Sequence, residues 1–287
     1  MARLVALVTL ILTLAAPVEA EGPQRIVSLY PGHSENIVAL GAGDRLVALS
    51  RSDDDGLLPD LPRLSPKVGG EALLALAPDL VVARSLVLRL NPALEPTLSE
   101  AGIALLCLDP PLWKDFDAYL RALATALAVD ADEAVGRAAS LRRALADEAE
   151  SRRGGRPRPR VFIEATEKGL QTCAPHSWAA RLVALVGGEN VAATEKKEEE
   201  TKPLMAWGIE RFLKEARLGL DIYLVQQGTM NGATVDDVRR RPWMEPFDGV
   251  KVVAVEEGLL SRPSLLGLER GGRELIDIFY PREESLP

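Results

Sequence analysis

Two stretches, GGEALLALAPDLVVA at 69–83 and WGIERFLKEARLGLDIYLV at 207–225, share one layout and decide how the chain is built. In each, an acid (Glu71 or Glu210) opens a short apolar-periodic helix. An aspartate (Asp79 or Asp221) then precedes an apolar run rich in β-branched residues. A carboxylate in a first helical turn complements the positive end of the helix dipole, so either acid alone has an ordinary structural explanation.

Outward from these stretches the same alternation continues. RIVSL (25–29), LVALS (46–50), DLVVA (79–83) and IALLCL (103–108) read as strands in the first half. RVFIEA (160–165), DIYLVQ (221–226) and KVVAV (251–255) do so in the second. Helical patterns fall between them at SENIVALG (34–41), EALLALA (71–77) and SWAARLVALVGG (177–188), and a last helix is expected over GGRELIDIFY (271–280). Strands separated by helices predict α/β units with mostly parallel sheets. From Leu112 to Arg153 no strand signal occurs. Asp130 with Glu133 resembles a capping box, Val135, Ala138, Leu141 and Leu145 recur at helical spacing, and SRRGGRPRPR (151–160) stops the helix. The expected fold is α/β: two Rossmann-like lobes with central, mostly parallel sheets, joined by one long rigid helix, with a ligand cleft between them. The expected boundaries are 1–20 for a leader, 21–112 for the first lobe, 113–156 for the helical segment and 157–287 for the second lobe.

The first residues read as a secretory signal. Arg3 supplies the positive region, Leu4 to Ala16 the apolar run, and Val18-Glu19-Ala20 the small residues before a cleavage at Glu21. The apolar run is too short for a spanning helix, and no cysteine follows it to take a lipid. Cleavage removes one base (Arg3) and one acid (Glu19), so the exported chain keeps the net charge of −8, which disfavours nucleic acid and anionic membrane as partners. The acidic-basic run Glu195–Lys202 reads as a solvated loop. Of the two cysteines, Cys107 reads as a buried strand residue, and no geometric signal pairs it with Cys173.

The order of these segments resembles the class III (helical-backbone) periplasmic solute-binding proteins, which serve ABC importers of cobalamin, iron–siderophores and haem. The resemblance rests on RIVSLYPGHSENIVALGAGDRLVALS, on the Pro-rich loop before GGEALLALAPDLV, on SWAARLVALVGGENVA and IERFL, and on VEEGLLSRP, and it extends from about Arg25 to Pro281. It implies a periplasmic carrier, with no catalytic residues and no intrinsic cofactor, that takes an iron or cobalt chelate to an inner-membrane permease dimer with its cytoplasmic ATPase. It implies a monomer. It further implies that Glu71 and Glu210 dock, one per lobe, into arginine pockets of the permease; Glu210 matches less closely, because more residues separate it from its aspartate.

In facing α/β lobes the loops after strands line the crevice. Candidate ligand contacts there are Tyr30, His33, Arg84, His176, Trp178, Trp207 and Arg262. His33 reads equally as an exposed residue ahead of an N-cap at Ser34 or as a contact, including an axial ligand to the metal. Aromatic faces suit a corrin, porphyrin or catecholate ring, and arginines suit carboxylates. Trp178 reads equally as an inward-packing residue; Trp113 and Met205 read better as core. Only two histidines exist, too few for the usual cage around a bare transition metal. A secreted α/β hydrolase-like enzyme and a ligand-presenting sensor are the competing readings. No CxxC, HExxH, GxSxG or P-loop motif supports catalysis, and adjacency of His176 and Ser177 makes no triad.

Overall fold

The apolar runs form strands because each is short and rich in valine and leucine, and the central ones, Ile26–Ser28, Leu80–Ala83, Arg160–Thr166 and Ile222–Gln227, are covered on both faces. In the computed structural model, which describes residues 22–54, 56, 60–193 and 202–282, the leader and most of the acidic-basic run lie outside the described residues. In the first lobe, β1 (Ile26–Ser28), β2 (Leu46–Ser50), β3 (Arg63–Leu64), β4 (Leu80–Ala83) and β5 (Ala104–Cys107) form a sheet in the order β3-β2-β1-β4-β5. Every pair in it is parallel. The connections carry α1 (Pro31–Ala39), α2 (Gly70–Leu74), α3 (Ser85–Leu90) and α4 (Leu94–Glu100). Because the chain runs outward from β1 through β2 to β3 and then crosses to β4 and β5 on the other side, a topological switch point lies between β1 and β4.

α5 (Phe116–Leu127) and α6 (Asp132–Arg153) lead into the second lobe. Its strands are β6 (Arg160–Thr166), β7 (Gln171–Cys173), β8 (Glu189–Asn190), β9 (Leu204–Ala206), β10 (Ile222–Gln227) and β11 (Lys251–Glu256). They are ordered β11-β10-β6-β7-β9, with β8 also paired to β6. β7 alone runs antiparallel to its neighbours, so the sheet is mostly parallel, as expected. α7 (Trp178–Leu185), α8 (Ile209–Ala216), α9 (Val235–Arg239), α10 (Glu257–Ser261) and α11 (Leu265–Phe279) complete it.

The two opening stretches have the same physical role in both lobes. Asp79 accepts hydrogen bonds from the backbone N–H groups of Gln24 and Arg25 at 2.7 and 3.0 Å, ahead of β1. The Arg25 guanidinium in turn donates to the carbonyls of Ala77 and Leu76 at the end of α2. In the second lobe Asp221 accepts from the Arg160 N–H at 2.7 Å, and the Arg160 guanidinium donates to the Gly219 carbonyl at 2.7 Å. Each arginine satisfies helix-end carbonyls that have no partner within the helix. The wider spacing from Glu210 to its aspartate is explained by helix length: α8 has eight residues and α2 five.

Two expectations need correction, and a third is extended. Asp130 forms no capping box; its carboxylate accepts from the Asp132 N–H at 2.8 Å, and the first residue ahead of α6 is Ala131. Cys107 is exposed, because β5 is an edge strand, and both cysteines are free. The last helix runs through GGRELIDIFY as expected and starts earlier, at Leu265, capped by the Ser264 hydroxyl, so Gly271 and Gly272 sit in its interior. They are there for close packing. A Cβ on Gly271 would meet the Leu259 carbonyl oxygen at 2.2 Å, and one on Gly272 would meet Leu145 of α6 at 2.5 Å. Two α-carbons without side chains therefore let α11 lie against α10 on one side and α6 on the other.

We expect Gly271→Ala to lower the unfolding free energy in urea by about 1–3 kcal/mol through overpacking. Gly136→Ala, exposed within α6 with open space around it, should raise it by about 0.4–1 kcal/mol.

Candidate functional site

The carboxyl edges of the two sheets face one cleft of about 880 Å³. Its walls come from the loops after strands, where helix starts and turns leave room for a ligand. On the first lobe, Tyr30 follows β1 and Arg84 follows β4, so the switch point brings together two residues far apart in sequence. The Arg84 guanidinium lies 4.9 Å from the centre of the Tyr30 ring. That contact is worth about 0.5–2 kcal/mol and holds the cation at the wall. Arg84 has no ion-pair partner among the described residues. Burial pushes the Tyr30 phenol up to about 12, so it is a neutral hydrogen-bonding group.

The floor is a hydrogen-bonded junction between lobes. Asn36 of α1 donates to the Gly32 carbonyl at 2.7 Å and, across the junction, to the Pro263 carbonyl at 3.0 Å; its own oxygen accepts from the Leu265 N–H at 3.2 Å. Beside it, Glu35 accepts from Arg262 at 2.5 Å and from the Ser264 hydroxyl. Arg262 borders the cleft, but its charge is already committed to Glu35. It braces the floor and presents little free charge to a ligand.

On the second lobe, Trp178 opens α7 behind the N-cap Ser177 and borders the cleft. Its ring packs against Trp113 at 4.7 Å and Phe116 at 4.9 Å, so it packs inward while bordering the cleft. Cys173, the Gln227–Met230 turn, Glu256 and Glu257 continue this wall. Burial pushes the Cys173 thiol up to about 12, which leaves it a neutral apolar contact.

Three expected contacts are absent from the cleft wall. His33 has no exposed surface; it lies inside α1, its Nδ1 2.7 Å from the Tyr119 hydroxyl. α1 begins at Pro31 and not after Ser34, which turns the imidazole inward. Burial lowers its pKa to about 4, only weakly offset by the nearby carbonyls of Ala83 and Leu108. Trp207 packs beneath Arg211, whose guanidinium is 4.8 Å from its ring, and joins the second-lobe core with Phe162 and Phe212. His176 precedes the cap of α7 and stays half-buried away from the cleft. Trp113 and Met205 pack against the cores, as expected.

Sequence reasoning missed Asp53. It borders the cleft floor, is 6% exposed, and among the described residues neither carboxyl oxygen has a hydrogen-bond partner. Among the described residues no group of three or more His, Cys, Asp or Glu is placed to hold a metal ion.

No family model matches the chain. The vitamin B12-binding protein of Vibrio cholerae serotype O1 is 31% identical over 200 residues, 67% of this chain and 69% of that protein. The chain belongs to that family. A shorter match, 31% identical, to the vitamin B12-binding protein of Vibrio campbellii spans 60% of this chain and 62% of the relative. Among solved structures, the apo periplasmic heme-binding protein of Roseiflexus sp. RS-1 has a TM-score of 0.70 at 23% identity, covering 90% of this chain and 97% of that one. The periplasmic vitamin B12-binding protein of Vibrio cholerae has a TM-score of 0.61 at 22% identity, covering 91% and 99%. The relatives in that family are named as binding proteins, and the solved structures share this chain's two-lobed α/β fold. No helix among the described residues is long and apolar enough to cross a membrane.

Within this family fold, the positions of Glu71 and Glu210 follow from topology. A helix between parallel strands begins at the carboxyl edge of the sheet, and both acids stand, exposed, in the first turn of such helices. They therefore rim the same face of the two lobes as the cleft.

Asp53 generates a pH-dependent prediction. Burial raises its pKa from 3.8 to about 6, against the pull of the nearby Ser34 hydroxyl and Arg262. The native state therefore binds its proton more tightly than the unfolded chain, and stability falls as pH rises from about 4 through 6. The buried charge costs at most about 2–3 kcal/mol above that window. His33 acts oppositely, since its lowered pKa makes stability fall as pH drops below its ordinary 6.5. We expect Asp53→Asn to be more stable than the wild type by about 1–2 kcal/mol at pH 7.5, with the gain vanishing near pH 4, in urea titrations at both pH values.

Proposed function

We propose that this protein is the solute-binding component of an ABC importer and carries a metal chelate in the cleft between its lobes. One observation carries the reading: two facing carboxyl edges enclose about 880 Å³, with the Tyr30–Arg84 stack on one wall and Trp178 on the other. Planar aromatic faces suit a macrocycle or catecholate, and the unpaired guanidinium suits an anionic arm. The family relatives are named for vitamin B12 and several structural neighbours for haem, so the cargo is a cobalt or iron chelate. The metal arrives already ligated, and the chain's part is to grip the periphery of its ligand. With His33 enclosed in the core, no imidazole on this wall ligates the metal.

The chain is exported, loses residues 1–20, and works in the periplasm as a monomer. It delivers its cargo to a membrane permease dimer driven by a cytoplasmic ATPase. Glu71 and Glu210 dock this complex, each through an arginine, because charge-assisted pairs orient two lobes over two subunits while remaining reversible.

Three measurements test these points. Mass analysis of the protein recovered from the periplasm should give Glu21 as the first residue; recovery with Met1 in the membrane fraction contradicts export with cleavage. Titration of cyanocobalamin, haemin and ferric siderophores, read by quenching of tryptophan emission, should find at least one tight ligand. Arg84→Ala should weaken that ligand about tenfold, the scale of one charge-assisted hydrogen bond. The pair Glu71→Ala and Glu210→Ala should leave ligand affinity unchanged while abolishing uptake, since each lost interfacial charge pair costs about 2–5 kcal/mol. Reduced ligand affinity with normal docking contradicts the assignment of both glutamates.

A further inference from the structure

The large apolar side chains left in contact with water gather on one side of the molecule. Among the described residues these are Leu74, Leu90, Ile209, Leu218 and Met230. Singly, such residues are ordinary on any surface. All but Leu218, however, lie on the face that carries the cleft mouth, Glu71 and Glu210. Leu74 stands one turn after Glu71 on the same side of α2. Leu90 ends α3, and the turn that follows lies against the start of α2: Asn91 donates to the Pro66 carbonyl at 2.7 Å, and a Cβ on Gly70 would meet Thr97 at 2.6 Å. Ile209 opens α8 next to Glu210, and Met230 borders the cleft. Leu218 lies past the end of α8, toward the amino edge of the sheet.

The outer side of α2 shows the pattern most clearly. A surface helix ordinarily turns charged side chains outward. α2 instead exposes Glu71, Ala72 and Leu74, with Ala75 following, and Glu71 is its one charge. A lone carboxylate in an apolar surround matches a cation set in an equally apolar surface, the arrangement of a protein interface.

Whatever covers this face also covers the mouth through which the cargo leaves, so the covering surface belongs to the cargo's receiver. A second copy of the chain would bring these carboxylates, and two net charges of −8, against each other. Resting on the carrier reading, we propose that the permease is held chiefly through these apolar side chains: Leu74 and Leu90 form one anchor around Glu71, and Ile209 forms a second beside Glu210. The partner then presents two basic side chains, each ringed by apolar surface. The carboxylates steer the approach and set the register. The apolar groups supply the part of the affinity that salt does not screen.

The test measures binding of the exported protein to its cognate permease–ATPase complex in lipid nanodiscs, by biolayer interferometry at low and at high salt. The wild type should bind at both, more weakly at high salt. Leu74→Ser with Leu90→Ser, and separately Ile209→Ser, should each weaken binding by about tenfold at both salt concentrations. None of the three borders the cleft, so affinity for cyanocobalamin and haemin, read by tryptophan quenching, should stay as in the wild type. Leu218→Ser, which removes a surface leucine from the other side, should alter neither. Normal docking by both apolar variants, while Glu71→Ala with Glu210→Ala abolishes it, overturns the proposal and leaves the carrier reading standing. Equal binding to nanodiscs without the permease also overturns it, by making the face a lipid contact. So does concentration-dependent pairing of the chain that Leu74→Ser abolishes. A wild type that binds a chelate and never the permease complex overturns the proposal together with the docking of Glu71 and Glu210.

Discussion

The junction of α1 with the turn into α11 is the constraint on which the rest depends. Asn36 joins two backbone groups of the second lobe, the Pro263 carbonyl and the Leu265 N–H, to the first lobe, and its remaining donor is held by Gly32 of its own helix. Glu35 adds a buried carboxylate held by Arg262 and Ser264. A buried amide or carboxylate left without partners costs several times what the bonds return when made. The junction therefore favours one register between the lobes. That register sets the distance between Tyr30 and Trp178, and so the shape of the cleft.

The helices reinforce it. α11 packs along α6, with Gly272 admitting Leu145, and meets α10 where Gly271 approaches a carbonyl oxygen. α1 also touches α11, so the first lobe, the connecting helix and the second lobe share one packed face. A connection made of packed helices bends less than one made of extended strands.

Within that frame the cleft divides its polar groups into two kinds. Arg262 and Glu35 neutralise each other and serve the structure. Arg84 lies on the Tyr30 ring, has no ion-pair partner among the described residues, and remains available. Arginines that look alike in sequence thus differ in what they offer a ligand. The same holds for the acids: Glu35 is satisfied by two donors, whereas Asp53 lies almost as deeply buried with none among the described residues, and burial lifts its pKa accordingly.

The sequence by itself determined the two α/β lobes, their mostly parallel sheets and the helical connection. Those follow from local apolar periodicity and from alternation of strand and helix, which short windows carry. It also held the paired layout around Glu71 and Glu210, because a carboxylate in a first turn and an aspartate before a strand are local devices. Tertiary structure alone decided which residues share the cleft. Tyr30 and Arg84 meet only because strand order puts β1 beside β4, and Glu35 meets Arg262 only because α1 packs against the far end of the chain. It also moved His33 and Trp207 out of the site, since a helix starting a few residues earlier, or a ring falling on a covered sheet face, reverses which way a side chain points. Periodicity records which positions are apolar. It does not record which distant element covers them, and that pairing assigns a polar or aromatic residue to core or ligand.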